Sequence, residues 1–202
     1  MVITAQAVDT RIARLMTWIA LILVLGTDAA YVALIKGQGS VAPDVYTVPF
    51  VAGYLLTMAA LLAYSLMRLA RPAWRMPLRA AATGGLLVLG VLAIFSVGLP
   101  LVIAGALATG ATVRTLRGPQ LTRASLSAVA AALLAVIVLV AGFEITQRVI
   151  VCPATGTSGG GGTGLVTGPY YYDCVDGQLT FHSGSCSSSS IDSNGKVIHP
   201  RC

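Results

Sequence analysis

Long apolar runs alternate with short basic loops up to about residue 146, and the alternation then stops. The first run, 15–35, carries Trp18 near one end and Tyr31 near the other, as interfacial aromatics do at the two surfaces of a bilayer. A loop of turn formers (Gly37, Gly39, Pro43, Asp44) leads to the second run, 49–69, with Pro49 in the first turn, where a helix tolerates it. Arg68, Arg71, Arg75 and Arg79 follow; Pro72 and Pro77 are expected to break the helix there, and Trp74 to lie at the membrane surface. The last run is 124–145. These three runs match the length of roughly 20 residues that a spanning helix needs.

The remaining stretch, 80–113, does not. At about 1.5 Å per residue it makes a helix of about 50 Å, against a hydrocarbon core of about 30 Å. Near its middle, Pro100 removes a backbone donor and disfavours helix at the residue before it. The stretch is either one long, kinked and tilted helix or a hairpin with arms 80–97 and 99–113. The arginines favour the hairpin. Arg114, Arg117 and Arg123 follow it, and only a doubling-back keeps both basic loops on the side of Arg11 and Arg14, as positive charge on the cytoplasmic side requires. The same arrangement sends the cysteine-bearing tail outward, where thiols pair. Each arm is then about 24 Å long, which calls for local thinning of the bilayer or burial among neighbouring helices.

The fold class expected is therefore an all-α integral membrane helix bundle over 1–146. It has five transmembrane helices, the alternative being four. A small disulfide-bonded, extracytoplasmic tail of irregular and β structure follows over 147–202. The N-terminus is cytoplasmic, the C-terminus extracytoplasmic, and the location the plasma membrane. The first run is read as a retained helix and not a cleaved signal, because apolarity continues to Ile35 and an acid, Asp28, interrupts the place a cleavage site would occupy.

Composition agrees. The chain is 56% hydrophobic and 10% charged, where a soluble domain carries about 25% charged residues. The net charge of +6 sits in arginines at the ends of apolar runs, so it signals topology and not nucleic acid. Gly84, Gly85, Gly90, Gly98, Gly105 and Gly110, and the Ser/Ala-rich start of the last run, let backbones approach closely in lipid. Packing within the bundle explains them, and so does docking of a partner subunit.

Asp28 is the most suggestive single residue, since a carboxylate inside a span is costly and a functional candidate by default. With Tyr31, Tyr54, Ser96 and Glu144 it falls on one level of the five-span arrangement, as a possible intramembrane polar cluster for a proton, a cation or a polar headgroup. The bland alternative is an acid capped by hydroxyls. No phosphate loop, HExxH or CxxC is present, and no histidine falls in a span. The expectation is no enzyme and no cofactor.

In the tail, 155–168 has the composition of a flexible linker. Tyr170 to Tyr172 and Leu179 to Phe181 read as strands around an Asp176-Gly177 hairpin turn. Too little core is available without staples, so Cys152, Cys174, Cys186 and Cys202 are expected to form two disulfides, in any of three connectivities. Metal binding by Cys174, His182, Cys186, His199 and Cys202 is the weaker alternative, since no spacing matches a known ligand signature.

The segments Val48-Pro-Phe-Val-Ala-Gly-Tyr54 and Gly85 to Pro100 resemble those of actinobacterial multi-pass membrane proteins of no assigned function. The stretch from Cys174 to Phe181, with Gly184-Ser-Cys186-Ser187, resembles a motif of small secreted bacterial domains, which implies a disulfide module and no activity. The functional expectation is a non-catalytic accessory or structural subunit of a larger membrane protein complex. Partners are the lipid bilayer and other membrane subunits, with no nucleic acid. A respiratory oxidase assembly is one candidate host, by analogy only. The alternative is a small transporter or ion-coupled protein using Asp28.

Overall fold

The computed structural model describes residues 2–38, 46–67, 72–94, 97–115, 121–184, 190–191 and 197–198. The chain divides into two compact units, Met1–Ser40 with Val48–Gly142, and Val41–Thr47 with Phe143–Cys202.

The first unit is helical. Its helices are α1 (Val2–Gln38), α2 (Thr47–Leu66), α3 (Pro72–Leu92), α4 (Gly98–Thr115) and α5 (Leu121–Arg148), the last running on into the second unit. Four of them contain segments long and apolar enough to cross a membrane: Arg11–Gly37, Thr47–Leu66, Trp74–Leu92 and Ser125–Arg148. The apolar part of α4, Gly98–Arg114, is shorter.

The overlong stretch at 80–113 is thus divided between two helices, α3 ending at Leu92 and α4 starting at Gly98. Ala93 donates to the Leu89 carbonyl at 2.9 Å and Gly98 to the Ala93 carbonyl at 2.8 Å, which satisfies backbone groups at the end of α3 and the start of α4. Pro72 and Pro77 do not break this helix. Pro72 is its first residue, a position whose N–H has no intrahelical partner anyway. Pro77 sits inside it and forfeits only the bond to the carbonyl of Ala73, in the first turns. The first arm therefore starts earlier than its apolar composition suggests and is 21 residues long.

Close packing at glycines defines the neighbours. In the α3–α4 hairpin, Gly90 lies against Val102, Gly98 against the carbonyls of Gly90 and Ala93, and Gly105 against Leu87, an antiparallel register. Gly84 of α3 meets Ala132 of α5, and Gly85 meets Tyr54 and Met58 of α2. Gly142 of α5 makes room for the Phe50 ring of α2. Gly110 of α4 faces Met16 of α1, α1 packs against α4, and Ala13, Thr17, Ala20, Val24 and Thr27, spaced three or four residues apart, are buried along α1. The hydroxyls of Thr17, Thr27, Thr109 and Thr112 each donate to the carbonyl four residues back, so none is stranded among apolar side chains.

The second unit contains an antiparallel sheet in the order β1 (Thr157–Gly164), β2 (Gly168–Val175), β3 (Gln178–Ser183). A two-residue ladder joins β4 (Ser190–Ile191) to β5 (Val197–Ile198). Asp176 (φ 47°) and Gly177 (φ 81°) form the β2–β3 turn, both with the positive φ that a type I′ hairpin needs. The glycine-rich segment, a linker by composition, is the strand β1. Gly160 pairs with Tyr172 and Gly162 with Tyr170. A Cβ there would stand 2.6 Å and 2.8 Å from the respective Tyr hydroxyls. The rings of β2 fold over the bare backbone of β1 and supply the apolar contact that glycine lacks. Cys152 is bonded to Cys174, and Ile150, Tyr172 and Cys174 form the small buried core. Closing a loop of this length stabilises the fold by about 3 kcal/mol on the chain-entropy account. Cys186 and Cys202 lie outside the described residues.

Candidate functional site

The polar residues singled out from sequence are distributed among three environments. Asp28 lies on the buried side of α1, 8% exposed, and its Oδ1 has no hydrogen-bond partner among the described residues. Tyr31, one turn further along the helix, is within electrostatic reach of it. Tyr54 is 5% exposed, and its hydroxyl donates to the Ala135 carbonyl of α5 at 3.0 Å. It therefore fastens α2 to α5. Ser96 lies outside the described residues.

Glu144 belongs to the second unit. Its Oε1 accepts the Val166 backbone N–H at 2.7 Å, and its Oε2 accepts the Thr167 hydroxyl at 2.8 Å. Gly164 is packed against both the carboxylate and Thr167. Arg148, one turn on, lies within its field and on the C-terminal side, the favourable order for a helical acid–base pair. The carboxylate thus holds the β1–β2 turn to the end of α5. Nothing in the sequence marks this role, because one of its two partners is a backbone amide, which every residue but proline offers.

In the sheet, Tyr171 stacks on His182 with ring centroids 4.4 Å apart, and Tyr170 on Phe181 at 5.2 Å. His182 Nε2 lies 3.9 Å from Asp173 Oδ2. The Cys174 sulfur is bonded to Cys152, so it is not a thiolate ligand for a metal. His199, like Cys186 and Cys202, lies outside the described residues.

Of the arginines expected to set the topology, Arg11, Arg14, Arg75, Arg79 and Arg114 have described side chains, and Arg68, Arg71, Arg117 and Arg123 do not. Arg79 is the exception to the exposed pattern expected of topology charges. It is only 9% exposed, and its Nε donates to Ser65 Oγ of α2 at 3.2 Å. Ser65 in turn donates to the Leu62 carbonyl at 2.7 Å. Comparison with protein-family models, curated proteins and solved structures finds no match to the chain.

Proposed function

We propose that the chain crosses the plasma membrane five times, with the N-terminus cytoplasmic and the sheet extracytoplasmic. On this reading it is a non-catalytic accessory subunit of a larger membrane complex. The arginine-bearing loops support the orientation, and the disulfide suits an oxidising compartment.

The observation that carries the functional reading is the surface of the sheet. Leu165, Val166, Val175, Leu179 and Phe181 are all exposed, Val166 at 75%. Apolar side chains held outward on a covalently braced sheet suit contact with another protein. Purification of the full chain from native membranes in mild detergent tests this. Stoichiometric co-purifying membrane subunits are expected, and their loss from a Val166→Ser/Leu179→Ser double variant. A chain that elutes alone and monomeric contradicts the reading.

A second reading rests on Asp28. A buried carboxylate oxygen with no partner among the described residues is costly in an apolar setting. Proton or cation coupling would account for it. Under that reading Asp28→Asn abolishes uptake in reconstituted vesicles; uptake equal to that of the parent removes it.

A further inference from the structure

We propose that the β1–β2 turn dips into the bilayer beside α5, with Leu165 and Val166 in contact with lipid near the boundary between hydrocarbon and headgroups. This rests on α5 crossing the membrane, and on neither the direction of that crossing nor the accessory-subunit role.

Turns are made by default from Gly, Pro, Asn, Asp and Ser. The β2–β3 turn obeys this with Asp176-Gly177. At the other end of β2 the turn reads Leu165-Val166-Thr167. Val166 is 75% exposed and Leu165 49%. Two adjacent apolar side chains held outward at a strand reversal suit an apolar surrounding.

The place of this turn along α5 identifies that surrounding. The apolar segment Ser125–Arg148 has 24 residues, and is thus about 36 Å long against a hydrocarbon core of about 30 Å. Glu144 lies one turn before its end, near the edge of that core. The carboxylate fixes the turn at this level by accepting the Val166 amide at 2.7 Å and the Thr167 hydroxyl at 2.8 Å. Gly164 permits the approach, since a Cβ there would stand 3.0 Å from each carboxylate oxygen. Where water is scarce a backbone amide must be satisfied by the protein itself, and Glu144 does this for Val166.

The rest of the sheet leads away from the span. Ile150 clusters with Tyr172, Cys152 is bonded to Cys174, and the Asp176 amide donates to the Gly156 carbonyl at 3.0 Å. The chain leaving α5 therefore runs alongside β2 and in the same direction. The apolar turn sits at the last turn of the span, and the polar turn past its end. Ile145 and Val149, both exposed, add apolar surface at the level of the first. A turn seated in lipid leaves Val175, Leu179 and Phe181 as the surface available to a subunit.

The test uses the full chain with Trp18→Phe and Trp74→Phe, reconstituted without other proteins in phosphatidylcholine vesicles whose acyl chains carry bromine. A single tryptophan is placed by Val166→Trp, Leu165→Trp, Gln178→Trp or Ile137→Trp. The two turn variants are expected to lose nearly as much emission to the brominated lipid as Ile137→Trp, in the middle of α5, and Gln178→Trp next to none. The proposal is overturned if the turn variants are quenched no more than Gln178→Trp while Ile137→Trp is quenched; the span then stands without the insertion. Quenching of none of the four removes the span and the insertion with it. Tryptophan itself favours the interface, so the unsubstituted chain is also labelled by a carbene released from a lipid acyl chain. Label is expected at Leu165 and Val166 and not at Asp176 to Gln178. Label along α5 with none at Leu165 and Val166 overturns the proposal whatever the tryptophans show.

Discussion

A tyrosine hydroxyl buried among helices must find an acceptor, and Tyr54 finds the carbonyl of Ala135, a residue 81 positions away. The sequence marks Tyr54 as a polar group inside a span, but it marks no partner, because every residue carries a carbonyl. For the same reason the grouping of Tyr54 with Asp28 and Glu144 was open to sequence reasoning, whereas the fastening of α2 to α5 was not. Tyr54→Phe is expected to destabilise the bundle by about 1 kcal/mol, the net worth of a hydrogen bond, read as a small drop in Tm with the helical content unchanged. Glu144 makes a different case. Its two oxygens are bound to the Val166 amide and the Thr167 hydroxyl. In Glu144→Ala, hydrogen exchange at the Val166 amide is expected to accelerate while that of the β2–β3 pairing stays as before. Unchanged protection of Val166 would mean the carboxylate does not hold the turn.

Among the elements, the hairpin of α3 and α4 depends on glycines that differ in what they face. A Cβ at Gly90 would stand 2.9 Å from the Val102 backbone nitrogen, whereas at Gly105 it would stand 2.7 Å from the Leu87 Cδ2 atom. Backbone cannot yield; the end of a leucine can. Gly90→Ala is therefore expected to cost about 1–3 kcal/mol, as overpacking does. Gly105→Ala should cost less, since better helix propensity offsets it by up to about 1 kcal/mol. Chemical or thermal denaturation of the two variants side by side measures the difference, and equal losses would count against the packing described. Much at this scale was legible. The length of the 80–113 stretch and the placement of arginines indicated a reversal, and the Asp-Gly pair at 176–177 marked the β2–β3 turn, where both residues adopt positive φ. The glycine run at 157–164 was not legible as a strand. Composition registers five glycines in eight residues as backbone freedom. It does not register that Tyr170 and Tyr172 stand opposite Gly162 and Gly160 and cover them. The start of α3 was obscured for a related reason: Pro72 and Pro77 are read as breakers unless it is known that both fall in the opening turns.

At the scale of the whole molecule, the helices α1 to α5 and a disulfide-braced sheet follow one another along the chain, and the parity of crossings decides which compartment the sheet meets. With α4 as a fifth crossing, the basic ends of α1, α3 and α4 share the cytoplasmic side and the Cys152–Cys174 bond forms in an oxidising space. With four crossings, both correlations fail together. The proposed role of the sheet as a contact surface rests on that parity. The most direct measurement is a pair of alkaline phosphatase fusions in intact cells, one within 116–120, between α4 and α5, and one after Cys202. The account predicts an inactive enzyme at the first position and an active one at the second. Activity at the first with none at the second would contradict it.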